Sequence, residues 1–191
     1  MKFSVPFIAA VLATTFVAPA SATDISLAPD AKWREFTVDS QLAPSFGTGW
    51  IDYTDGSALT FSFTVGVGQV GVLSVVDAGF AGDTFRITNN GTAFGQTSSV
   101  PAGTTAGSVV GDFDSAFADA SFSRASFTLA AGSYRIGGRL DQSVNDNGMA
   151  LNSTNGAVRL SLVSAVPEPS GHALLLAGLM AVGVVVHRRT R

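Results

Sequence analysis

From Leu59 to Val65 the chain reads Leu-Thr-Phe-Ser-Phe-Thr-Val, apolar and hydroxyl residues alternating without a break. Successive side chains of an extended strand point to opposite faces. The period therefore puts Leu59, Phe61, Phe63 and Val65 on one side, whereas a helix would scatter them over two opposed faces. Gly66 to Gly71, with three glycines, can turn the chain into Val72–Val76, a more fully buried strand. Asp83–Thr88 and Thr92–Thr97 flank Asn90-Gly91, a pair that accepts the positive φ a tight hairpin needs. That turn predicts Ile87 opposite Phe94 on one face. Alternation returns at Phe127/Leu129 and Tyr134/Ile136, joined through Ala131-Gly132, and at Val158/Leu160/Leu162. No helical period outlasts a turn or two. About eight strands punctuated by Gly, Asn and Ser predict an all-β fold, an antiparallel β-sandwich of jelly-roll-like type.

The two ends differ from this middle. Met1-Lys2 carries a positive charge, Val5–Val17 is apolar apart from two Thr and Pro6, and Ala20-Ser21-Ala22 supplies small residues. Charge, short apolar core and a small-residue site make residues 1–22 a signal peptide, cut by signal peptidase after Ala22. At the other end stand Val166-Pro167-Glu168-Pro169-Ser170, an apolar run from Ala173 to Val186, and Arg188-Arg189-Thr190-Arg191. The two prolines hold the first of these segments extended. As a helix rising about 1.5 Å per residue, the apolar run covers roughly 21 Å. A hydrocarbon core is about 30 Å thick, so residues 171–187 make a short transmembrane helix. The arginines favour a cytoplasmic end and an exported middle.

The 26 residues from Val166 to Arg191 resemble the PEP-CTERM sorting tail: a Pro-Glu-Pro triplet, a short membrane stretch and a basic end, in that order. The resemblance implies an exosortase of a Gram-negative bacterium as the partner. Val166, Pro167, Glu168, Pro169 and Ser170 would then be the sorting motif, and Arg188, Arg189 and Arg191 the stop-transfer charges. It further implies transient anchoring in the inner membrane, then release to the cell surface or extracellular matrix. The implied role is structural or adhesive, within exopolysaccharide or biofilm. No Leu-Pro-x-Thr-Gly and no Gly-Gly pair before the span point to other sorting systems.

The exported segment, residues 23–165, has seven basic against thirteen acidic residues, a net charge of −6. That balance gives no footprint for nucleic acid. The chain has no Cys, and both His residues, His172 and His187, belong to the tail. Ser-His-Asp and Cys-His catalysis and the usual zinc sites are thereby removed from the domain. Lys32 is its only lysine and Glu35 its only glutamate. Asp52/Asp55 and Asp112/Asp119 are the carboxylate pairs that a polysaccharide hydrolase would need. Aspartates of this kind are ordinary in turns, and the domain reads as non-enzymatic.

A carbohydrate-binding module is the alternative, with Trp33, Trp50 and Tyr53 as exposed stacking residues, because Trp50 to Tyr53 lies between two loops. Most of the eleven Phe of the domain read as core. Calcium asks only for oxygen donors, and Asp112, Asp114 and Asp119 form one acidic loop. A second loop, residues 141–148, fails as an EF-hand, with Ser143 first and Thr154 twelfth. The Asn90-Gly91-Thr92 and Asn152-Ser153-Thr154 sequons read as turn chemistry.

Overall fold

The computed structural model describes residues 22–164, together with 175 and 178–180 of the tail. In chain order the strands are β1 (Ala22–Ser26), β2 (Arg34–Asp39), β3 (Ala58–Val65), β4 (Gln69–Phe80), β5 (Thr84–Asn89), β6 (Thr92–Gln96) and β7 (Val109–Val110). The helix α1 (Phe113–Ala118) follows, then β8 (Arg124–Leu129), β9 (Gly132–Gln142), β10 (Asn145–Asp146), β11 (Met149–Ala150) and β12 (Ser153–Ser164). One sheet has the order β1-β3-β9-β5-β6. The other runs β2-β12-β4, with β7 and β8 both paired to β4. The ladders are antiparallel except for β1 on β3, which is parallel from Ala22↔Ala58 to Ser26↔Ser62.

The alternation of β3 does what its period predicts, burying Leu59, Phe61, Phe63 and Val65. They meet Phe85, Ile87 and Ile136 of their own sheet, and Phe36, Val38, Leu73, Val75, Val158 and Leu160 of the other, in one core. Fully burying each such side chain contributes about 1.5–3 kcal/mol. Phe127 lies at the edge of this core, half-buried. The middle of β4 is buried on both faces, which is why it reads as a continuous apolar run. Leu73 and Val75 face the main core, while Val76 and Ala78 join Ala116, Phe122 and Ala157 in a smaller cluster under α1.

The turns after β3 and β8 do not close hairpins. Each carries the chain from one sheet to the other, through Gly66 to Gly68 and through Ala130-Ala131. Asn90-Gly91 does close a hairpin, with φ of 49° and 77°. The expected pairing of Ile87 with Phe94 is corrected, because the ladder slips between Ile87 and Thr88 and sets Ile87 against Gly95. Phe94 is the extra residue of that bulge, and its ring packs on Phe127 with centroids 5.1 Å apart. Asn147-Gly148 makes a second tight turn, at φ 48° and 82°, between β10 and β11.

The two sheets are tied at the segment around Trp50. Ile51 exchanges both main-chain hydrogen bonds with Thr37 of β2, at 2.8 and 3.1 Å. Trp50 N–H donates to Gly138 of β9 (3.0 Å), and its carbonyl accepts from Leu59 of β3 (2.9 Å). This anchoring turns the indole inward, where it stacks on Phe36 with centroids 3.8 Å apart and planes 13° from parallel. Phe61 and Phe85 meet it edge-on. A methyl group on Gly138 would lie 2.5 Å from the indole, and one on Gly156 2.3 Å from the Phe36 ring. Both positions need glycine because an aromatic ring lies flat on the backbone.

Residues 1–21, the sorting motif Val166–Ser170 and Arg188, Arg189 and Arg191 lie outside the described residues. Of the apolar run, residues 175 and 178–180 are helical. No helix among the described residues is long and apolar enough to cross a membrane.

Candidate functional site

The three aromatic residues singled out for sugar stacking are not brought together. Trp50 is corrected outright: it is 2% exposed and belongs to the core, because its main chain bridges both sheets. Trp33 is half-buried on the outer face of the β12 sheet, against Phe117 and Phe113 of α1. The Arg159 guanidinium covers its ring, 4.2 Å from the centroid. Asp114 accepts hydrogen bonds from Trp33 Nε1 and Arg159, both at 2.8 Å, closing the cluster. Its chemistry is that of a staple holding the short helix to the sheet.

Tyr53 alone stands free, 74% exposed. It borders an open groove of about 450 Å³, with Ile25, Glu35, Thr37, Asp52 and Asn155 among the lining. The floor is apolar and the rim carries carboxylates, an amide and a hydroxyl, the mixture that fits a hydroxyl-rich ligand.

The acidic residues weighed for calcium or hydrolysis are each engaged locally. Asp112 caps α1, accepting from Ser115 N–H (2.8 Å), and this hydrogen bonding holds its carboxyl below the usual range. Asp119 accepts from Ser121 N–H and hydroxyl (2.8 and 2.7 Å), with the same consequence. Asp114 serves Trp33 and Arg159, so the three do not make the common loop expected of them. Asp52 and Asp55 accept from Thr54 and Ser57 N–H (2.8 and 2.9 Å), as turn aspartates do. Among the described residues, no three acidic side chains converge as a metal-binding group.

The most unusual chemistry lies elsewhere. Asp77 and Asp83 are both buried, Asp77 with 0% exposure. Asp77 follows Leu73 and Val75 on the inward face of β4, and Asp83 enters from the other sheet just ahead of β5. Asp83 accepts from Val144 N–H and faces the Thr154 hydroxyl. Neither oxygen of Asp77 has a hydrogen-bond partner. The amide groups of Asp83, Gly82 and Ala78 favour its charged form without reaching bonding geometry. Burial, and then the Asp83 charge, push the Asp77 carboxyl up to about 9; burial raises Asp83 as well. A free aspartate loses its proton near 3.9, so the folded chain holds this proton where the unfolded chain does not. With divalent cations chelated, stability is therefore expected to fall as pH rises from about 4 towards about 9. Thermal unfolding at pH 5 and pH 8 checks the sign; a midpoint as high at pH 8 as at pH 5 would count against a buried, strained Asp77.

The signal for Asp77 was in the sequence: an acid inside the otherwise apolar run Val75-Val76-Asp77-Ala78. No protein-family model and no curated protein matches the chain. Among solved structures it is similar to the pre-peptidase C-terminal domain of a collagenase from Bacillus anthracis. That likeness has a TM-score of 0.38 at 12% identity and covers 75% of this chain and 98% of that one.

Proposed function

We propose that the chain is an exported, non-catalytic β-sandwich protein, sorted through its Pro-Glu-Pro tail to the cell surface or extracellular matrix of a Gram-negative bacterium. The sorting half of this reading is supported by the succession of Pro-Glu-Pro, apolar run and arginines from Val166 to Arg191, together with the amino-terminal leader. The non-catalytic half is supported by one observation: the aspartates a hydrolase would need, Asp52, Asp55, Asp112 and Asp119, are each engaged as turn or helix caps. Hydrogen bonding holds the carboxyls of Asp55, Asp112 and Asp119 below the usual range, which makes them poor general acids. On this reading the exosortase and signal peptidase are partners during export, and the mature protein works as a scaffold or adhesin. Expression in a host with its own exosortase is expected to yield a mature surface form that lacks Arg191. A surface form retaining that residue on a carboxyl-terminal blot would count against sorting.

The exposed ring of Tyr53 beside the groove favours a second reading, a carbohydrate contact. Stacking of a sugar on one aromatic ring with a polar rim gives weak, avidity-dependent binding. On a glycan array, Tyr53→Ala is expected to lose at least tenfold in signal. Equal binding by Tyr53→Ala, or none by the parent, would remove this reading and leave the scaffold role.

A further inference from the structure

We propose that Asp77 and Asp83 hold a divalent cation, calcium by its chemistry, between the two sheets at one end of the core. The two carboxylates come from opposite sheets, and both Asp77 oxygens are shut away from water with nothing to bond to. Ionised without a partner, such a carboxylate would be among the most costly arrangements a fold can contain, so the pair must hold either a proton or a cation, and buried charges are normally paired or bound to metal. None of the ion pairs among the described residues involves Asp77 or Asp83: they are Arg34 with Asp30, Arg86 with Asp141, Arg135 with Asp24 and Arg159 with Asp114. The Thr154 hydroxyl donates to the carbonyl of Ala78, the residue after Asp77, at 3.3 Å, so two neutral oxygens stand close together there. The Thr154 hydroxyl also faces Asp83.

This donor set is all oxygen, with no imidazole or thiolate, which selects a hard cation over zinc. Calcium tolerates irregular shells of six to eight oxygens and takes carboxylates in bidentate fashion, as the unpartnered Asp77 would allow. Magnesium prefers a regular octahedron and keeps its waters, which an enclosed site does not favour. The site is distinct from the Asp112–Asp119 segment, whose carboxylates are already engaged.

The test uses the purified full chain, stripped with EDTA and then given calcium chloride or magnesium chloride. Elemental analysis before stripping is expected to find one calcium per chain. Calcium at about a hundred times its dissociation constant is expected to raise the unfolding midpoint by about 5–10 °C. Asp77→Asn, which keeps the shape and needs no proton from neutral solution to be neutral, is expected to unfold at a higher temperature than the parent in EDTA. The same variant should gain nothing from calcium, while Asp112→Asn keeps the full increment. Asp83→Asn serves as the second variant, with the same loss of response. Absence of any calcium effect on the parent would mean that a proton holds the pair, and would overturn the proposal. An undiminished response in Asp77→Asn, or an equal response to magnesium, would overturn it too.

Discussion

Trp50→Ala is expected to remove about 3–5 kcal/mol of stability, the range for emptying a large buried aromatic site. Domains of this size are stable by roughly 5–15 kcal/mol, so the variant should unfold at a small fraction of the parent's urea concentration. The size of the effect follows from position. The indole touches Phe36, Phe61 and Phe85, which belong to both sheets, and its removal opens a void between them. Main-chain ties from the segment to Thr37, Gly138 and Leu59 remain, which limits how far the sheets can collapse to refill it. Trp50→Phe should be far milder, about 1.5 kcal/mol, because the indole N–H has no partner to lose. Urea unfolding of the two variants decides the matter. A change below 1 kcal/mol in Trp50→Ala would show that the stack is not central to the core.

Gly156→Ala ranks next, with an expected loss of about 3 kcal/mol, at the upper end of overpacking costs. The new methyl would meet the Phe36 ring at 2.3 Å and the Val76 carbonyl oxygen at 2.8 Å. The ring cannot retreat, because Trp50 lies flat on its other side. Phe36→Leu costs stability by itself, yet in the double variant it relieves the clash, so the two losses should sum to more than the measured total. Gly111→Ala is the control, since its added methyl meets nothing within 4 Å; it should be neutral or slightly stabilising. Additive losses in the double variant would place the strain somewhere other than the stacked rings.

Much of the sheet structure was legible where local rules decide. Leu59 to Val65 announces a half-buried strand because its period is two, and Asn90-Gly91 announces a tight turn because both residues accept positive φ. Legibility ended where distant partners decide. Trp50 reads as a loop residue from its flanks, but its hydrogen bonds run to Gly138 and Thr37, which local periodicity cannot see. The slip at Phe94 comes from packing against Phe127, more than thirty positions along the chain. Short β2 was not read at all: Thr37 is buried along with Phe36 and Val38, so no alternation marks it. The candidate site fared worse for a related reason. Clustering along the sequence drew attention to Asp112, Asp114 and Asp119, whose roles are local, whereas Asp77 and Asp83 owe their character to enclosure by both sheets.

The last strand among the described residues is an interior one: β12 lies between β2 and β4, matched to β4 from Asn155↔Ala78 to Ser164↔Gln69. A polypeptide that emerges amino end first must therefore leave β2 and β4 waiting, without their shared neighbour, until almost all of it is through. Early compaction into the finished shape is denied by topology. Such a chain stays open, and locks only once the twelve residues of β12 arrive.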